Sequence, residues 1–130
     1  MTAFPKPQPS VVTKHAKRKA ADLSLAQAYA EVDARDGGKC WVTGRHTRPG
    51  VVDPNVRREH HHLKGRNVKP EWRHKPERII TVCNSAHVLI TAGWIVVEGC
   101  DARKPIRFSW AEHVKAKDKP LVIQRQTGER

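Results

Sequence analysis

The stretch Arg58-Glu59-His60-His61-His62-Leu63 constrains this chain more than any other. It places a carboxylate and three imidazoles at four consecutive positions. Neutral imidazole is the commonest metal ligand, and it also takes up protons near physiological pH. Successive side chains of a strand point to opposite faces. A strand here sends Arg58, His60 and His62 to one face and Glu59 and His61 to the other. Adjacent histidines can then do different work: one holds a metal while its neighbour, aimed elsewhere, takes a proton from water. A second stretch, Ile79-Ile80-Thr81-Val82-Cys83-Asn84-Ser85-Ala86-His87, is a short β-branched run followed by another histidine. Arg78 to Val82 reads as a strand, and Asn84 or Ser85 can cap a helix that carries His87, Leu89 and Ile90 and ends near Gly93.

The rest of the chain supplies a frame. Residues 1–22 hold Pro5, Pro7 and Pro9 and the run Lys14-His15-Ala16-Lys17-Arg18-Lys19, and read as a flexible basic arm. Ser24 to Arg35 reads as a helix capped by Ser24, with Leu25, Ala28, Tyr29 and Val32 at helical spacing and Gly37-Gly38 at its end. Arg45 to Arg57 is turn-rich, with Val51-Val52 a candidate short strand. Lys64 to Glu77 is a long loop whose Arg66, Lys69, Arg73, His74 and Lys75 suit a phosphate backbone. Trp94 to Val97 and Ile106 to Phe108 read as a final antiparallel pair. Residues 111–130 read as a basic tail in which Leu121-Val122-Ile123 is a candidate edge strand.

Composition narrows the function classes. One domain of 130 residues with net charge +12 and a pI near 10.2 points to a polyanionic partner. A nucleic acid is the favoured partner on charge, with a basic protein of the translation machinery or a capsid-associated protein as the alternative. No apolar run reaches the roughly 20 residues that span a bilayer, and the first residues lack a signal peptide's hydrophobic region. Three cysteines, Cys40, Cys83 and Cys100, make no disulfide framework, so a reducing cytoplasm is expected.

The two central stretches resemble the HNH endonucleases, a branch of the ββα-metal (His-Me finger) nucleases. That family's first strand ends in (Asp/His)-His, often with Glu two residues before the pair. Glu59-His60-His61-His62-Leu63-Lys64-Gly65-Arg66 matches this pattern. The family's second half, Asn-Leu-x-x-Leu-Cys-x-x-Cys-His, corresponds to Arg78 through His87, and the resemblance covers Val32 to Gly99. Arg78 replaces the family's middle Asn. Thr43 and Ala86 replace the second cysteine of each half of a four-cysteine zinc knuckle. Structural zinc needs four ligands. Cys40 and Cys83 are therefore expected as small buried residues, side by side, with a Cys40, Cys83, His46 and His87 zinc site as the alternative.

The resemblance implies an α+β fold: a small ββα-metal finger core over residues 23–110, with an N-terminal helix and a C-terminal β-hairpin. It implies a metal-dependent endonuclease hydrolysing phosphodiester bonds in DNA, acting in the cytoplasm and plausibly phage-encoded. His62 would be the general base. His61 and His87 would hold one divalent ion (magnesium, manganese, nickel or zinc). Glu59 would orient His61 from behind, and His60 would lie beside the site. Arg has only donors, so Arg78 would stabilise phosphate charge while a backbone carbonyl orients the base. Arg58, Lys64, Arg66, Lys69, Arg73 and Lys75 would contact DNA. The rival readings are an inert DNA-binding module that keeps the finger fold, and a zinc-stabilised structural adaptor.

Overall fold

The computed structural model describes residues 24–63 and 70–124, so Lys64, Arg66 and Lys69, the N-terminal arm and the last six residues lie outside the described residues. The fold is α+β. A first helix, α1, spans residues 24–36. Strands β1 (Arg58–His62) and β2 (Ile79–Cys83) pair antiparallel, with His62 opposite Ile79, His60 opposite Thr81 and Arg58 opposite Cys83. Helix α2 (Asn84–Thr91) follows β2 directly, and β3 (Ile95–Glu98) pairs with β4 (Arg107–Trp110) in a second antiparallel ribbon.

The two strands divide α1 from α2. Ala28 and Val32 of α1 pack on Ile79 to form a small cluster. Their i, i+4 spacing puts both on one helix face. Ile80 and Val82, on the other face of β2, join Ala86 of α2, Ile95, Ile106 and Phe108 in the main core. Every residue of β2 is buried, as a β-branched run covered on both faces requires. Burying side chains of this size contributes about 1.5–3 kcal/mol each.

The edge of β2 away from β1 is also closed. Thr81 O accepts from Trp41 N at 2.9 Å, and Thr81 N donates to the buried Asp36 carboxylate at 3.1 Å. Arg35 grips the same carboxylate at 2.7 and 3.0 Å and donates to Ile79 O at 2.7 Å. A buried carboxylate is costly unless its oxygens are satisfied, and these bonds meet that demand while fixing the end of α1 against β2. Gly37 and Gly38 end the helix at φ +61° and +73°, a conformation that favours glycine. A Cβ on Gly38 would also collide with the Arg58 guanidinium.

Four local expectations are corrected. Val51-Val52 forms no strand, and Val52 is 87% exposed with nothing to pair against. Pro70–His74 and Pro76–Arg78, within the expected loop, wind into two short 3-10 helices. The N-cap of α2 is Cys83, not Asn84 or Ser85, and no side chain caps it. Leu121-Val122-Ile123 is not an edge strand. It crosses the turn after Cys40, with Gln124 N donating to Val42 O at 2.8 Å and Ile123 buried. Within residues 111–124, Val114 is buried as well, while most of the stretch is exposed. Among the described residues no helix is long and apolar enough to cross a membrane.

Candidate metal and phosphodiester site

Alternation along β1 sorts its side chains as the sequence period demands. Glu59 and His61 face α2, whereas Arg58, His60 and His62 face α1. Helix α2 presents Asn84 and His87, three residues apart and therefore on one face. A pair from the strand and a pair from the helix meet. The rings of His61 and His87 lie 5.4 Å apart, centroid to centroid, at an interplanar angle of 73°. Glu59 Oε1 accepts from His87 Nδ1 at 2.8 Å, and Glu59 Oε2 accepts from Asn84 Nδ2 at 2.8 Å. Arg57 Nε stands 3.7 Å from Oε2.

The protonation states follow from these contacts. Burial raises the Glu59 carboxyl, but hydrogen bonds from His87 and Asn84 outweigh it and the net shift is downward. An ionised carboxylate only accepts, so His87 donates from Nδ1, and Nε2 is the nitrogen it could offer to a metal. Burial, then the neighbouring His87 and His62, push His61 down to about 4. His61 is therefore neutral at physiological pH, as a ligand must be.

The centroid spacing of the pair is one that two imidazoles sharing a divalent ion could have. A metal–nitrogen bond of about 2.1 Å puts each imidazole centroid roughly 3 Å from a shared ion, which accommodates a 5.4 Å centroid separation. Glu59 backs His87, the arrangement that fixes a ligating imidazole's tautomer. It does not back His61, which corrects the expected partner. Among the described residues no group of three or more His, Cys, Asp or Glu side chains that could hold a metal ion is found.

His62 lies on the opposite face and is 8% exposed. Its Nε2 is 3.1 Å from Arg73 O, and Tyr29 meets its ring edge-on at 6.2 Å. A carbonyl only accepts, so Nε2 donates. The orienting carbonyl is thus Arg73's, while the Arg78 carbonyl accepts from Leu63 N. His60 stacks on Tyr29 at 4.2 Å and 7°, with Nε2 2.7 Å from Asp33 Oδ1. It belongs to the α1 contact and not to the imidazole pair.

Two arginines assigned to phosphate have other work. Arg58 donates to Thr47 Oγ1 at 3.0 Å and Thr47 O at 2.8 Å, and lies 3.5 Å from Asp33. Arg78 covers the Trp72 ring at 3.8 Å and donates to Cys100 O at 2.8 Å. Its guanidinium ties the 3-10 turns to the loop before β4, a cation–π contact worth about 0.5–2 kcal/mol. Lys75 is exposed, whereas Arg73 is half-buried.

Cys40 and Cys83 are buried with their sulfurs 3.8 Å apart, the adjacency the sequence suggested. Their shared hydrogen bond and burial push the Cys83 thiol well up, which suits core packing. His87 is turned to Glu59 and His61, and does not complete a four-ligand shell with these thiols.

Sequence reasoning missed the bonds of Asn84 to Glu59 and of Asp33 to His60, and the ring contacts of Tyr29 with His60 and His62. The i, i+3 spacing of Asn84 and His87, and the i, i+4 spacing of Tyr29 and Asp33, were the available signals. Compared with known proteins, the chain matches no family model, no curated protein and no solved structure.

Proposed function

We propose that this chain is a metal-dependent, HNH-type endonuclease that hydrolyses phosphodiester bonds in DNA, with β1, β2 and α2 as its ββα-metal finger. The observation that carries the reading is the 5.4 Å approach of His61 and His87, residues far apart in the chain, with Glu59 setting the tautomer of one of them. A divalent ion held by His61 and His87 would supply Lewis-acid stabilisation of the phosphoryl oxygens and the leaving oxygen. In this reading the base role falls to His62, whose ring is fixed by Arg73 O on the face of β1 opposite the pair. The net charge of +12 draws the polyanionic substrate.

A second reading, an inert DNA-binding module, draws on the burial of His62 and the engagement of Arg78 away from the imidazoles. One assay separates them: plasmid nicking with magnesium, manganese, nickel or zinc, with His62→Ala as control. Metal-dependent nicking that His62→Ala abolishes, with folding and binding intact, is the expected result. Undiminished nicking by that variant rejects His62 as the base. Salt-sensitive binding without cleavage under any metal favours the inert module.

A further inference from the structure

We infer that Asn84 is a positioning residue for the imidazole pair: its amide locks the Glu59 carboxylate, and the locked carboxylate keeps the His87 proton on Nδ1. The inference rests on the metal reading above and deepens it. Each oxygen of Glu59 has its own short donor, His87 Nδ1 on Oε1 and Asn84 Nδ2 on Oε2, both at 2.8 Å. The other donor near Oε2, Arg57 Nε, is farther away at 3.7 Å, and its side chain is 37% exposed. Exposed ion pairs of this kind hold geometry weakly.

Asn suits the task chemically. An amide orients a carboxylate by donation yet brings no charge. A Lys or Arg in its place would neutralise the carboxylate and add repulsion against a divalent cation. Without the amide, the carboxylate is left to Arg57 and rotates, and His87 is free to exchange its proton between the two nitrogens. Position 84 achieves this because it lies one turn before His87, so one helix face carries both the ligand and the lock on its partner.

The test uses the full chain with Asn84→Ala and the near-isosteric Asn84→Leu, which keeps the bulk but lacks the donor and adds no charge. Ser85→Ala is the control, since it removes a neighbouring bond at the same helix end, Ser85 Oγ to Asn55 Oδ1. Two quantities are read: the His87 tautomer from ring nitrogen shifts in metal-free protein above pH 7, and nickel affinity by calorimetry. Both Asn84 variants should melt near the wild-type temperature, show His87 as a tautomer mixture, and bind nickel about 10- to 100-fold more weakly. Ser85→Ala should change neither. If Asn84→Ala does not fold, the near-isosteric variant carries the test. A His87 tautomer unchanged in both variants overturns the inference, whatever the metal does. Wild-type protein that binds no divalent metal, with the tautomer still shifting on loss of Asn84, removes the proposed function and leaves the lock standing.

Discussion

The two faces of β1 carry the same kind of side chain in opposite settings. Toward α1, His60 and His62 are packed: one lies flat on Tyr29 and is held by Asp33, the other is nearly buried and fixed by a backbone carbonyl. Toward α2, His61 faces another imidazole across 5.4 Å, and a carboxylate held by Asn84 stands behind that second ring, His87. The difference teaches that a run of histidines is not one site. The strand period deals them to two environments, and the partners on each face decide whether a ring is held by the fold or available to an ion.

The largest expected break in this contrast is His62→Ala. Under the proposed function, loss of the base should lower cleavage by about 10²–10⁴-fold, while nickel binding at the α2 face should stay within a few-fold of wild type. A plasmid-nicking assay beside calorimetry reads both. A parallel fall in nickel affinity would show that the two faces are not independent.

Acid should act through the α2 face. His61 falls from 6.5 to about 4 on folding, so in acid the unfolded chain takes up the proton first. Its contribution is fully present above pH 6.5 and is lost as pH falls toward 4, by at most about 3 kcal/mol. Urea melts of metal-free protein should show this loss, and His61→Leu should flatten it. An unchanged pH slope in that variant would contradict the burial assigned to His61.

Glu59→Ala comes next. It leaves the His87 proton unfixed, and nickel affinity should drop about 10- to 100-fold. Nicking at saturating metal should fall far less than in His62→Ala. Equal loss of nicking in the two variants would mean that Glu59 serves more than the His87 ring.

The smallest effect is expected for Tyr29→Leu, which keeps apolar bulk on α1 but removes the stack on His60. Stacked rings contribute about 0.5–1.5 kcal/mol beyond burial, so the melting temperature should fall modestly. Nickel affinity should not move, and a shift there would show α1 reaching through the strand to the other face.

Much of this frame was legible in the chain. The β-branched run at 79–83 is a strand because its side chains fill both faces of a covered sheet, and the period of two sorts Glu59 and His61 from Arg58, His60 and His62. Ala28 and Val32 bury at helical spacing, and Gly37-Gly38 end the helix where positive φ is needed. The hairpin also falls where expected, although β4 runs on to Trp110.

Which partner each polar side chain takes was not legible, because hydrogen bonds join residues that the fold alone brings together. Glu59 answers His87, 28 residues away, rather than His61 two positions along the same strand. Arg58 and Arg78 have the composition of phosphate contacts, yet Thr47, Asp33, Trp72 and Cys100 take their guanidinium groups. Local period follows from backbone geometry, which each residue carries with it. Pairing depends on the distance between atoms of separate elements, and that distance exists only once α1, the two strands and α2 have packed.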